Sequence, residues 1–463
     1  MKFVLYLALS ALLMSATSAF SQDIVWQHLY GDPEWAYESV SAICPTHDGS
    51  LLAVGPAGID YGYSDCVGLL KFSPDGDSLW RKRICGTTAY RPYGAASTYD
   101  GGFIIAGFTG DVTSQSHLFY MKTDQNGNKL WEKTYDTGEQ YSRVIGVEET
   151  ADSGFIITGH VGQFPSADIG NSSVLIIRTD SLGAGGASWN EPEWAKTFDI
   201  NSNDYNRSYC VRQTADGGYV VAGSTGDLSG LDMFLLRLNA IGDSLWCNVY
   251  EDVSSGSVGW SVAEHADGGF LMVGWIGSGS YHLGPRAVRT DATGSELNSW
   301  KLTVGSLYSV RSDSDGGFIT TGDDIVIRLD DIGDTTWCCR YEPPDTSIDL
   351  REIIQVGSGE YILAGDENPH NGVNDDYVYL ARIQPWGTYI CGDADASSSV
   401  DIDDVVYLIA YIFSGGPAPE PLQSGDADCS GGVDIDDVVY LIAYIFSGGF
   451  APCDIDGDGW PDC

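Results

Sequence analysis

Positive charge is scarce in this sequence. Only 23 Lys and Arg stand against 65 Asp and Glu, for a net charge of −42 over 463 residues. Such a surface repels nucleic acid and anionic membranes, which are bound mainly by neutralising their phosphates, and it makes divalent cations the natural counter-charge. Long apolar runs are also missing. The first apolar stretch, Phe3 to Met14, falls short of the roughly 18 residues that a membrane-spanning helix needs, and no later stretch reaches that length. No two of the eleven cysteines are spaced as C-x-x-C, which argues against zinc ribbons and thioredoxin-like redox sites. The seven histidines are scattered without an H-E-x-x-H pattern, and G-x-S-x-G does not occur. Neither zinc-protease nor nucleophile-elbow chemistry is therefore written in the chain.

Lys2, the apolar stretch behind it and the small residues Ala16-Thr17-Ser18-Ala19 together read as a secretory signal peptide over residues 1–21. A secreted or cell-surface chain is therefore expected. In that oxidising setting the cysteines should form disulfides, with one of the eleven left unpaired or paired outside the chain.

A repeat runs through residues 22–388. A basic residue is followed five positions later by glycine seven times: Lys71/Gly76, Lys122/Gly127, Arg178/Gly183, Arg237/Gly242, Arg289/Gly294, Arg328/Gly333 and Arg382/Gly387. Trp80, Trp131, Trp246 and Trp337 follow four of these glycines at +4. A second anchor precedes each basic residue, as in Asp100-Gly101-Gly102-Phe103 and Asp216-Gly217-Gly218-Tyr219. Asp-Gly between apolar runs is a hairpin signal, because glycine supplies the positive φ of primed turns. Each repeat then reads as four short strands; in the second these are 91–98, 103–108, 118–123 and 129–135. The seventh copy lacks its Trp strand, while Ile24 to Tyr30 is an orphan of that type. The expected fold is all-β: a seven-bladed β-propeller closed by the N-terminal strand. In these features the region resembles secreted bacterial propellers built from tandem Asp-Gly-Gly repeats, a resemblance that speaks to fold and not to function.

Loops opposite the Asp-Gly turns vary while the turns do not, which is how binding surfaces are carried on a constant scaffold. Tyr93, Tyr141, Arg143, Arg207, Trp260, Trp275 and Tyr308 fall in those segments and are the candidate ligand face, able to stack sugars or clamp carboxylates. The same aromatics could instead pack between blades. No catalytic residue can be named.

After Arg382 there is no Lys or Arg, and 391–463 holds fourteen Asp and one Glu. Val400 to Gly416 and Val433 to Gly449 are identical over seventeen residues. Each is preceded by EF-hand spacing. Asp393, Asp395, Ser397, Ser399, Asp401 and Asp404 occupy positions 1, 3, 5, 7, 9 and 12 of one loop, and Asp426, Asp428, Ser430, Gly432, Asp434 and Asp437 those of the other. That spacing wraps oxygens around one calcium ion. Two such loops, each with one following helix and Asp at position 12, resemble a type I dockerin over 391–452, with serine at position 5 of both loops and Ser398 at position 6 of the first as departures. The resemblance implies a cohesin-like partner, recognised through Ile402, Asp403, Ile409 and Ala410 and through Ile435, Asp436, Ile442 and Ala443. Because the two sets are identical, docking in two orientations is implied. Residues 453–463, with Asp454, Asp456, Asp458 and Asp462, resemble a short thrombospondin type 3-like calcium motif.

Two function classes follow: a non-catalytic propeller that binds a glycan or protein, or a secreted polysaccharide-degrading enzyme carried by the same module. A last expectation concerns Cys66 and Cys85. If Pro74 to Asp77 forms a four-residue turn, opposed residues have numbers summing to 151, and these two cysteines face each other closely enough to bond.

Overall fold

The computed structural model describes residues 24–30 and 40–452 apart from 47, 58–65, 87, 111–115, 140, 163–171, 187–190, 202–204, 228–229, 252–255, 279–280, 302–304, 314–315, 341–345, 358–359, 370–376, 384–390, 398, 421, 429 and 431. The segment expected to be a signal peptide, 1–21, and the four aspartates of 453–463 lie outside these residues. The chain divides into a large body, Trp26–Asp334 with Glu342–Arg382, and a smaller one that holds Ile383–Cys463. Among the described residues no helix is long and apolar enough to cross a membrane.

The large body is mostly β. Among the described residues, 28 strands fall into seven antiparallel groups of four. The first group is Ala42–Pro45, Leu51–Ala57, Cys66–Phe72 and Ser78–Cys85, and the second Tyr90–Ser97, Phe103–Thr109, His117–Thr123 and Lys129–Tyr135. The other five open with Tyr141–Glu149, Tyr205–Gln213, Ser257–Glu264, Ser309–Ser312 and Thr346–Gly357. The third and fourth groups touch through one parallel pair, Ser172 and Tyr205, which makes them formally one sheet. In the seventh group the outer strand is Ile24–Tyr30, beside Tyr377–Ile383.

The two sequence anchors turn out to be halves of one ion pair. The basic residue on the third strand reaches back to an acid at the turn between the first and second strands: Lys71 to Asp48, Lys122 to Asp100, Arg178 to Asp152, Arg237 to Asp216 and Arg289 to Asp267. The sixth group uses Arg328 with Asp313 and the seventh Arg382 with Glu360. In Lys122–Asp100 the ammonium side chain is 5% exposed and the carboxylate 62%, at 2.8 Å. The cation is thus buried beneath an acid that faces water, and the acid also caps its own turn by accepting the Thr98 hydroxyl and the Gly102 N–H.

The glycine of the other anchor has a different job. Gly76 sits at φ 84°, and a Cβ there would lie 2.9 Å from the Trp26 ring and 2.5 Å from His28. Gly127, Gly183, Gly242, Gly294 and Gly333 meet Trp80, Trp131, Trp194, Trp246 and Trp300 in the same way. Each of these six tryptophans therefore lies on the hairpin glycine of the next group. Because Trp26 belongs to the seventh group and Gly76 to the first, the junction recurs between the last group and the first. One apolar cluster accompanies it, joining Leu51, Leu70 and Phe72 to Ile362, Val378 and Leu380, with Trp26 and Tyr30 against it.

The Cys66–Cys85 disulfide is present, with Cα atoms 4.1 Å apart and the two residues directly opposed in register. The route to that register differs from the expected turn. The loop holds three residues, not four: Ser73 N–H bonds Asp77 O, and Gly76 N–H bonds Ser73 O. A bulge at Leu79 then adds one residue, since Lys71 faces Trp80 while Phe72 faces Ser78. The three-residue turn ends in a positive-φ glycine, and the extra residue of the separate bulge restores the sum of 151 beyond it.

In the small body, α1 (Ile402–Ser414) and α2 (Ile435–Ser447) have the same sequence. Asp401 and Asp434 cap them, each in a reciprocal capping box with Asp404 or Asp437, and Gly415 and Gly448 end them in the left-handed conformation. Val405, Leu408, Val438 and Leu441 pack together with Ala394 and Ala427.

Candidate functional site

Two places gather functional groups. The first is a cavity of about 820 Å³ in the large body, lined by the opening strand of all seven groups. Five of those strands carry a bulge at matching height, and the extra residues are Tyr93, Ile145, Tyr209, Trp260 and Arg351. All five line the cavity. A bulge re-aims one side chain without breaking the sheet, so the repeat places a variable residue at one height of the wall. Tyr209 and Trp260 have ring centroids 4.3 Å apart, Trp260 and Tyr308 6.1 Å, and the Arg351 guanidinium lies 4.8 Å from the Tyr308 ring.

Of the sequence candidates, Tyr93, Trp260 and Tyr308 line the cavity. Tyr141, Arg143 and Arg207 stand just upstream of lining residues on the same strands. These residues lie in strands, not in the loops where they were expected: Tyr-x-Arg alternates with the period of a strand, and Tyr141 and Arg143 pair in register with Gly162 and His160. Trp275 lies on Phe270–Ser278 opposite Val258 and is not among the residues lining the cavity.

Sequence reasoning missed Tyr209, Arg351 and the charged groups deeper in the wall. Glu352 bonds Arg311 at 2.9 Å and accepts the Ser309 hydroxyl. Burial pushes its carboxyl up to about 7, against the lowering pull of Ser309 and Arg212. Burial likewise raises Glu148, with Arg212 opposing. The signal lay in scattered single residues, Glu148, Arg212, Arg311 and Glu352, each on a different strand, and no local motif joins them.

The second place is the pair of acidic loops. One oxygen from each of Asp393, Asp395 and Asp404 lies within 4.8 Å of the others, and Asp426, Asp428 and Asp437 repeat the cluster. Asp404 accepts the N–H of Asp395 and of Asp401, and Asp437 those of Asp428 and Asp434. Burial and then the neighbouring aspartates raise both carboxyls, Asp437 to about 7. Ser397 N–H donates to Asp393 and Asp395, and Ser430 N–H to Asp426 and Asp428, which folds each loop around its acids. The Ser399 carbonyl faces the Ser397 hydroxyl, and Gly432 holds the matching position. An all-oxygen cluster of this kind suits a hard cation such as calcium.

On the helices, Ile402, Val406, Ile409 and Phe413 are exposed at i, i+4, i+7 and i+11, and Ile435, Val439, Ile442 and Phe446 repeat them. Asp403 and Asp436 are exposed beside them, Ala443 is exposed and Ala410 half-buried. The stripe is one face of each helix, and it lies opposite the residues packed in the core.

No family model matches the sequence, and no curated protein matches it. Solved structures with a similar course include Sqt1 from Chaetomium thermophilum (10% identity, 79% of this chain and 98% of that chain, TM-score 0.47). The Dos1 propeller is another (8% identity, 78% and 95%, TM-score 0.44), and so is the polysaccharide lyase Uly1 (13% identity, 80% and 94%, TM-score 0.46). At these scores the likeness carries no conclusion about what this chain does.

Proposed function

We propose that the chain is an exported binding scaffold: a closed seven-bladed propeller that presents its central cavity to a ligand, tethered to a cohesin-like partner by a calcium-dependent dockerin module. The observation that carries the docking part is the twin arrangement of acid cluster and helix, each ending in an exposed apolar stripe of the same four residue types. A monomeric domain gains nothing from exposing Ile, Val, Ile and Phe on one face unless a partner covers them. Ring closure is supported by the Trp26–Gly76 junction and by the strand Ile24–Tyr30 completing the seventh group. Export is supported by the Cys66–Cys85 disulfide, a bond that persists in oxidising compartments. Surface-immobilised cohesin-type domains, probed with the full chain, test the docking reading: binding in calcium that is lost in chelator supports it, and no binding to any such domain in calcium contradicts it.

A second reading, a polysaccharide-degrading enzyme on the same module, is favoured by one feature. Glu352 titrates near neutrality in the cavity wall, and it and Glu148 both act on Arg212, an arrangement suited to a general acid. Incubation with a polysaccharide panel separates the readings: binding without release of reducing or unsaturated ends supports the scaffold, and release supports the enzyme.

A further inference from the structure

Among the described residues, many cations of this acidic protein have an acid within ion-pair reach. The seven repeat cations do, and so do Lys129, Lys196, Arg212, Arg311 and Arg351. Arg143 and Arg207 differ from these. Among the described residues neither has a hydrogen bond or ion pair, and the Nε of each is buried without a partner. Aromatic rings, not carboxylates, hold them: the Arg143 guanidinium lies 4.9 Å from the Tyr141 ring centroid and 5.4 Å from that of Phe108, and Arg207 lies 5.3 Å from that of Tyr205.

The two arginines are repeat-equivalent. Tyr141, Arg143 and the bulge residue Ile145 follow at two-residue spacing on one strand, as Tyr205, Arg207 and the bulge residue Tyr209 do on the opening strand of the next group. Alternate residues share a face of a strand. Both arginines therefore stand on the side that leads to Ile145 and Tyr209 in the cavity wall. Between them lies His160, opposite Arg143 in register and buried, its Nδ1 also without a partner. Burial, followed by Arg207 and Arg143, holds that imidazole well below its usual range, so it stays neutral and leaves the positive charge to the guanidiniums. Arg91 completes the pattern at the equivalent place one group earlier, its Nε likewise buried and unpartnered.

Guanidiniums packed on rings and unanswered by acids are costly in isolation and are the standard donor set for carboxylate recognition. Rings on the same strands (Tyr93, Tyr141, Tyr205 and Tyr209) add flat, amphipathic surface of the kind sugars stack on.

We propose that Arg143 and Arg207 form an anion site at the mouth of the cavity that holds the carboxylate of an acidic sugar, with the neighbouring tyrosines carrying the ring. The inference deepens the scaffold reading and rests on it. The net charge of −42 makes the assignment sharper: a local positive patch is needed before any polyanion can approach such a chain.

The test is isothermal titration of the full chain, in calcium, with hexamers of glucuronate, galacturonate and mannuronate, each beside its neutral counterpart of glucose, galactose or mannose. A uronate hexamer should bind, weaken as salt rises, and outbind its neutral counterpart by at least about tenfold, the difference a charged hydrogen-bonded pair makes. Arg143→Gln and Arg207→Gln should each weaken binding by about tenfold or more, while Arg207→Lys, which keeps the charge, should lose less. Melting curves identify any variant that has not folded, and the lysine variant then carries the comparison. Binding of a neutral hexamer with no preference for its uronate leaves the scaffold standing and overturns the anion site, and so do unaffected folded variants. Equal competition by simple sulfate at the same concentration also overturns the assignment to an acidic sugar. If no hexamer binds, the anion site falls, and the docking measurement then decides the rest of the reading.

Discussion

At the scale of single residues, the first five groups are held by an asymmetric ion pair: a buried cation answered by a solvent-facing acid at the head of a turn. Asp216 is held down to about 2, first by the Thr214 hydroxyl and the Gly218 N–H and then by Arg237. Asp216→Ala leaves the Arg237 guanidinium buried with one partner fewer, and should cost about 1–3 kcal/mol, read as a lower midpoint in urea with an unchanged slope. Replacing Arg237 by Met in the same chain should recover part of that loss, because an absent charge needs no partner. Glu352 runs in the opposite direction. Its folded pKa of about 7 lies above the 4.5 of a free glutamate, so the folded state keeps a proton that the unfolded state gives up. Stability should therefore fall as pH rises from 4.5 to 7 and level off above, by up to about 3 kcal/mol. The aspartates of the ion pairs act oppositely, losing their contribution only as pH falls from about 4 toward 2. Glu352→Gln should shrink the upper window, leaving what Glu148 and the loop aspartates contribute there, and leave the lower one unchanged in a pH series of urea melts.

At the scale of elements, how much could be read in advance depended on whether the signal was local. The second group of strands was legible almost to the residue, because Asp-Gly turns and two-residue alternation are local features. Asp401 and Asp434, which cap the helices, were read only as loop positions, while the helices themselves were legible from the duplication of one apolar run. Two things were not. The bulges that aim Tyr209 and Arg351 depend on a mismatch with a neighbouring strand, which no single segment records. The ion pair joining the two anchors spans 21 to 26 residues in the groups of Arg237 and Arg178, so each half was visible and the bond between them was not. The loops lead to a test at this scale. Asp404→Ala with Asp437→Ala removes a capping-box partner from both helices and the position-12 acid from both loops. Docking to a cohesin-type domain should be abolished, while the main melting transition of the strand-rich body stays within a degree or two, since the two bodies have separate cores. A shift of both transitions together would mean the module is part of the larger fold.

At the scale of the whole molecule, a strand array meets itself again through Trp26, and a separate small body carries the twin acidic loops. Trp26→Ala removes the ring that lies on Gly76, at the junction of the seventh group with the first. Trp26 is half-buried against the cluster, so the truncation should cost about 1–3 kcal/mol, and the loss should show as a lower melting temperature and faster hydrogen exchange in both Ile24–Tyr30 and Cys66–Phe72. The same change at Leu79, an exposed bulge residue, should do little. The most direct test of the central claim is a calcium titration of the full chain, comparing the natural protein with the Asp404→Ala/Asp437→Ala variant. The account predicts that the variant binds two fewer ions per chain and that capture by a cohesin-type domain disappears with them. An unchanged number of bound ions, or capture that persists without calcium, would contradict it.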